Sequence, residues 1–245
     1  MNAYGPLAGC YDLFTSDVPY AALADFYESS LALPGRERLT LLDLCCGTGT
    51  LACILAERGH ELIGVDVSEE MLALAQEKAG QGAFPVRPMF LCQEASELDL
   101  YGTVEGAYCS LDALNYIPWA ELPELVRRLH LFIEPGGRLA FDIHSPEHLR
   151  ELDGQVFVDE ANDALCLWRA EFDAEENALF YGLDIFERRG ALWRRESEEH
   201  IEYAHETEAL CALLRDGGFR DVRVRENVLE SQPWRLFVTA ENLGH

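Results

Sequence analysis

Residues 41 to 52 read LLDLCCGTGTLA, an apolar run, an acid, a glycine-bearing turn and the start of a helical pattern. The run suits a buried strand, and the residues after the turn carry apolar groups at helical spacing. A strand that feeds a helix through so tight a turn leaves few architectures open. Glycines at 47 and 49 let the backbone approach a ligand without Cβ obstruction, and the helix that follows presents unpaired N–H groups. Asp66, seventeen positions after Gly49, closes a second apolar run, ELIGV, where a carboxylate can accept both hydroxyls of a ribose.

The pattern continues on both sides of that turn. Residues 20–33 have helical spacing and stop at Pro34-Gly35, ahead of a strand over 39–44. A helix is expected over 48–58, a strand over 61–65, and a helix over 69–78 capped by Ser68 with two acids in its first turn. Strands over 86–92 and 104–110, a helix over 121–132 and a strand over 137–143 follow. Strands alternating with helices imply a parallel sheet covered on both faces.

From about residue 155 to 203 the period changes. Leu179, Tyr181, Leu183 and Ile185 alternate with other residues, as do Trp193 to Tyr203, and Glu176-Asn177 and Arg189-Gly190 supply turns. This predicts an antiparallel meander of three or four strands. A helix over 206–216 and strands over 220–225 and 234–240 then resume the earlier pattern. The expected fold class is α/β: a Rossmann-like, mostly parallel seven-stranded sheet with helices on both faces and an antiparallel final strand. Residues 1–154 and 204–245 are expected to form its main domain, and 155–203 a small antiparallel β insertion.

Composition narrows the function classes. An apolar fraction of 49% with 26% charged residues is that of a globular protein. Forty-four acids against nineteen bases give a net charge of -25, which disfavours nucleic-acid partners. The N-terminal stretch MNAYGPLAGCYDLF lacks the basic and apolar regions of a signal peptide, and no run approaches the roughly 18 apolar residues of a membrane helix. The expectation is a cytoplasmic protein with no membrane partner. None of the eight cysteines forms a CxxC pair, so small buried hydrophobes explain them and no metal is expected.

A nicotinamide dinucleotide is the first candidate ligand, but the third glycine of GxGxxG is absent. Asp43 also stands just before the turn, where negative charge would repel a pyrophosphate and suits a ligand with a positive or zwitterionic end.

DLCCGTG resembles motif I of the class I S-adenosylmethionine-dependent methyltransferases, an acid followed by a glycine-rich turn. GVDVSEEML is similar to their motif II and FLCQEASEL to their motif III. CSLDALNYI resembles the segment that walls the sulfonium side, and LHLFIEPGGRLAFDI and LLRDGGF resemble the approaches to strands five and six. These stretches occur in order over about 200 of 245 residues. The resemblance implies S-adenosylmethionine as cofactor, held by Asp43, Cys45, Cys46, Gly47 and Gly49 of the turn. It puts Asp66 on the ribose, Val67 or Met71 against the adenine, Glu94 on the adenine amino group, Ala95 at a backbone contact and Ser110 beyond strand four. Bacterial small-molecule and sugar N-methyltransferases carry a comparable insertion, which implies a roof over the acceptor or a homodimer contact.

Cys45 departs from the pattern by replacing the first glycine of the turn, and Glu94 replaces a commoner aspartate. A side chain at 45 predicts ordinary backbone dihedrals there and packing behind the loop. Tyr4, Tyr11 and Asp12 lie in an aromatic N-terminal segment of the kind that folds over the cofactor in resembling enzymes. His144, after strand five, and Tyr11 are the candidate catalytic residues; otherwise His144 serves only as a neighbour of a helix cap. His144 and His148 are four apart, but Pro146 intervenes and no third ligand stands out. Asn115 and Tyr116 could bind an acceptor. Arg188, Arg189, Arg194 and Arg195 are expected to be neutralised by Glu187, Glu196 and Glu198. The expected activity is methyl transfer to a small molecule at nitrogen or oxygen. RNA or protein methylation, or a non-catalytic cofactor-binding module, stands as the alternative.

Overall fold

The computed structural model describes residues 5–161 and 163–244, so Tyr4 lies outside the described residues. Helices α1 (Ala8–Phe14) and α2 (Tyr20–Leu31) precede β1 (Thr40–Leu44). Then come α3 (Thr50–Glu57), β2 (Glu61–Asp66), α4 (Glu69–Gln81), β3 (Met89–Cys92) and β4 (Val104–Cys109). After α5 (Leu122–Phe132), β5 (Ile133–His144) and α6 (Pro146–Glu151), four strands run consecutively: β6 (Val156–Ala161), β7 (Ala164–Asp173), β8 (Ala178–Arg189) and β9 (Leu192–Tyr203). The chain ends with α7 (Thr207–Asp216), β10 (Phe219–Arg225) and β11 (Arg235–Asn242).

Seven strands form one sheet in the order β10-β11-β5-β4-β1-β2-β3, and β6 to β9 form a separate antiparallel sheet. Strands β1 to β5 pair in parallel, while β11 is antiparallel to both β5 and β10. The expected fold class therefore holds. The order reverses between β1 and β4, and the carboxyl ends of strands on either side of such a switch point leave a crevice.

Both faces of the sheet are covered. On one side Leu42, Leu44 and Phe141 pack with Leu125 and Leu129 of α5 and Leu210 and Leu214 of α7. On the other, Leu41, Tyr108 and Phe237 pack with Tyr27 of α2 and Leu55 of α3. Burial on both faces explains why β1 and the centre of β5 read as apolar runs, each interrupted only by one buried acid, Asp43 and Asp142. A third core, with Leu7, Leu149, Leu179 and Leu183, lies under the four-stranded sheet.

Among the boundaries that shift from expectation, three have a clear local reason. Helix α3 starts at Thr50 because Gly49, at φ 69°, is its N-cap. Strand β3 starts at Met89, since Pro88 has no N–H to give a ladder. Strand β5 starts at Ile133, and a register shift against β4 between Val104 and Gly106 absorbs the Pro135-Gly136 bend. No helix among the described residues is long and apolar enough to cross a membrane.

Asn115 joins the two sheets. Its Oδ1 accepts from the His144 N–H at 3.0 Å and its Nδ2 donates to the Tyr203 carbonyl at 3.0 Å. Both polar ends of this fully buried side chain are thereby engaged by the protein, and it lines neither of the two cavities described below. Asn115→Ala should lower the unfolding free energy by about 1–3 kcal/mol through two unsatisfied buried groups. Urea melts measure this, and an unchanged midpoint would mean the junction is held by other contacts.

Candidate active site

The chain leaves β1 through a turn that keeps the glycine conformation despite its side chain. Cys45 sits at φ 57°, in the left-handed region, which corrects the expectation of ordinary dihedrals there. Its side chain packs against the core beside α5 and also borders a cavity. The turn is fastened to β2: Cys46 N–H donates to the Val65 carbonyl at 3.0 Å and Gly47 N–H to Asp66 Oδ2 at 2.8 Å. Asp66 Oδ1 accepts from Ser68 N–H at 2.9 Å, and Ser68 Oγ caps α4 by accepting from Met71 N–H at 3.2 Å. One carboxylate thus positions both the turn and the next helix.

The cavity above this turn measures about 350 Å³. Tyr11, Cys45, Cys46, Gly47, Asp66, Val67, Met71, Glu94, Ala95 and Ser110 all line it, as do Gln93, Leu111, Tyr116 and Ile117 from within the quoted motifs and Tyr20 from outside them. Two residues of the expected set lie behind the wall. Gly49 faces Phe90, whose ring would stand 2.8 Å from an added Cβ. Asp43 is only 1% exposed, and its Oδ1 is without a hydrogen-bond partner among the described residues. Burial pushes the Asp43 carboxyl up to about 8. The Tyr108 hydroxyl works against the rise without closing a hydrogen bond of good geometry, and the Asp66 charge adds to it.

Helix α1 crosses from this turn to the four-stranded sheet. Thr48 Oγ1 donates to Asp12 Oδ1 at 2.6 Å, and Lys78 Nζ lies 2.9 Å from Asp12 Oδ2. At its other end the Leu7 N–H donates to Glu198 Oε1 at 2.9 Å. Tyr11, between these anchors, lines the first cavity and a second one of about 370 Å³.

The two cavities share Tyr11, Leu111 and Tyr116. His144 borders the second, with Nδ1 3.0 Å from Glu202 Oε2 and Nε2 3.2 Å from Arg235 Nη2. Both ring nitrogens are therefore engaged by protein. Burial opposes protonation of His144, but the Asp112 and Glu202 charges outweigh it and raise its pKa above the ordinary imidazole value. Arg235 lies 2.7 Å from Asp112 and also binds the fully buried Asp142. Asp112, Asp142, Glu202 and Arg235 went unnoticed in the sequence, where an acid in LAFDIH and an arginine in WRLFV are the only hints.

Single ligand atoms of Asp112, His144 and Glu202 lie within 4.8 Å of one another, a spacing that metals use. The Arg235 guanidinium already supplies positive charge at that point. His148 stacks on Trp234 at 4.7 Å and meets the His144 ring edge to face at 5.4 Å, so the two rings pack together and His148 stays outside the cluster of ligand atoms. At the insertion's hairpin, Arg189 pairs with Glu187 and Arg194 with Glu196, both at 2.6 Å. Arg195 pairs instead with Asp184 and Arg188 with Asp163, while Glu198 turns inward to His200.

Residues 41–137 match the model of a methyltransferase domain. The putative methyltransferase YqeM of Bacillus subtilis is 30% identical over 97% of this chain and 96% of its own length. The chain belongs to the class I S-adenosylmethionine-dependent methyltransferases. An S-adenosylmethionine-dependent methyltransferase from Clostridium acetobutylicum aligns with a TM-score of 0.82 at 27% identity over 100% of both chains. The sugar N-methyltransferase KedS8 from Streptoalloteichus aligns with a TM-score of 0.79 at 23% identity, over 95% of this chain and 92% of its own, a likeness of fold. This methyltransferase is an enzyme with S-adenosylmethionine as its methyl donor.

Two predictions concern the turn. The folded state keeps a proton on Asp43 that the unfolded chain releases above about pH 4. Asp43 therefore weakens the fold as pH rises from about 4 towards its folded value of about 8. The stability gain of Asp43→Asn over the wild type, read from denaturant melts, should grow across that window; a pH-independent difference would contradict it. Cys45→Val should cost about 1–3 kcal/mol, because a β-branched residue resists positive φ. Cys45→Gly should stay within about 1 kcal/mol of the wild type. Equal melts for the two variants would show the turn to be unstrained.

Proposed function

We propose that this methyltransferase moves the donor methyl group to a small-molecule acceptor, at nitrogen or oxygen, held in the second cavity. The observation that carries this reading is the shared wall of Tyr11, Leu111 and Tyr116, which sets the two cavities side by side. A net charge of -25 argues against an RNA acceptor, whose phosphates would need a basic face.

The lining of the first cavity fits the donor. A Cβ on Gly47 would meet nothing within 4 Å, so its backbone stands open to the cavity. Asp66 retains lone pairs for the ribose hydroxyls beyond the two N–H groups it accepts. Val67 and Met71 flank the adenine, Glu94 accepts from its amino group, and Ala95 and Ser110 complete the contact. Asp43, one layer behind and protonated in the folded chain, gives up that proton when the positive amino-acid end of the donor arrives and then favours that end by charge. Tyr11 closes the site from α1 and excludes water. His144 orients Glu202 and Arg235 and is a positioning residue, since both its nitrogens are occupied. The insertion roofs the acceptor through Phe157, Trp168 and Tyr181.

When bound, S-adenosylmethionine supplies an already activated methyl group, so alignment and exclusion of water account for much of the rate gain. Asp66→Ala should weaken donor binding by about 1.5–3 kcal/mol through lost charge-assisted hydrogen bonds. Calorimetry measures this, with far-UV circular dichroism confirming the fold; unchanged affinity would contradict the assignment. Incubating the enzyme with isotopically labelled donor and a metabolite extract should yield labelled small molecules by mass spectrometry. Label found only in RNA or protein would overturn the acceptor class.

A further inference from the structure

Charge in the second cavity points beyond a generic acceptor. Resting on the small-molecule reading above, we infer that the acceptor is an amine that enters as an ammonium ion on an apolar body. Three carboxylates, Asp112, Asp142 and Glu202, meet one guanidinium and one imidazole in a single connected network. One negative charge is left over if His144 is protonated and two if it is neutral. Asp159, on the insertion's side of the same cavity, adds another. In so enclosed a place an uncompensated carboxylate is costly, and a cationic guest removes the cost.

The cations present are committed. Arg235 Nε donates to Gln232 Oε1 at 2.6 Å, Nη1 serves Asp112 and Asp142, and Nη2 faces His144. A carboxylate or phosphate on the acceptor would compete with these internal anions for the same donors. Rings make up much of the remaining wall, Phe14, Phe157, Trp168 and Tyr181, with Tyr11 and Tyr116 at the boundary with the first cavity, beside the aliphatic Leu7 and Val18. Aromatic faces attract an ammonium group and bury its apolar substituent. A neutral alcohol gains the second effect and not the first.

The carboxylates also serve the reaction. An ammonium has no lone pair, so it must first give a proton to Asp112 or Glu202. The freed nitrogen pair then forms the bond to the methyl carbon, while the electrons of the carbon–sulfur bond pass to sulfur. The products are S-adenosylhomocysteine and a methylated ammonium. Asp112 is suited to hold the proton, because burial raises its carboxyl above the usual range against the opposing His144 and Arg235 charges.

Three probes of one shape test this: 2-phenylethylammonium, 2-phenylethanol and phenylacetate, titrated by calorimetry into enzyme saturated with S-adenosylhomocysteine. The ammonium should bind at least tenfold more tightly than the alcohol, and the carboxylate more weakly than either. Asp159→Asn and Glu202→Gln should each reduce ammonium affinity several-fold and leave S-adenosylhomocysteine affinity unchanged. Alcohol or carboxylate binding equal to the ammonium, no binding of any probe, or both variants behaving as wild type would overturn the inference. Labelled products carrying O-methyl groups only would overturn it too, yet leave small-molecule methyl transfer intact; absence of any small-molecule product would defeat that broader reading.

Discussion

Asp142 is the hub on which the site depends. It is fully buried in β5 and accepts from the Tyr27 hydroxyl, from the N–H groups of Leu111 and Asp112, each at 3.0 Å, and from Arg235. A carboxylate in the interior is tolerable only with such a full set of donors. Those donors come from α2, from the turn after β4, and from β11. Leu111 and Asp112 are held at φ 57° and 53°, a conformation their side chains resist. The two N–H bonds to Asp142 offset that strain and fix the turn that divides the two cavities. Removing one partner of such a buried pair typically costs about 3–5 kcal/mol.

The donor side follows the same economy of means. Asp66 receives the turn and the start of α4 at once, and in the proposed site ligand and loop share this one carboxylate. The turn itself keeps a left-handed residue where only Cys45 is available, and its thiol packs against the core while bordering the cavity. Helix α1 then couples the two halves: Asp12 is fastened to Thr48 and Lys78, Leu7 to Glu198. Opening the site means breaking contacts on both sides of Tyr11, which makes α1 a natural element to move during exchange.

Much of this was legible in the sequence, and the reason is locality. The parallel sheet announces itself in runs such as LLDLC and LAFDI, buried on both faces, and the antiparallel sheet in the alternation of Leu179, Tyr181, Leu183 and Ile185 on β8, whereas the buried face of β9 carries the polar Glu198, His200 and Glu202. Motif residues of the donor cavity are contiguous or follow strand ends, so spacing alone brings Cys46, Asp66 and Glu94 together. The second cavity, the proposed acceptor site, has no such signal. Asp112, Asp142, Glu202 and Arg235 come from four separate elements, and each alone reads as an ordinary polar residue beside apolar neighbours. At Cys45 intrinsic backbone preference yields to the hydrogen bonds of the turn, a tertiary effect that no local spacing signals.

The spatial relation of the two cavities carries the whole reading, and a crystal structure with S-adenosylhomocysteine tests it directly. The adenosine should lie between Asp66 and Glu94, with the sulfur directed towards the wall formed by Tyr11, Leu111 and Tyr116. Density with the sulfur directed away from that wall, or bound outside the cavity above Gly47, would contradict the assignment of donor and acceptor sites.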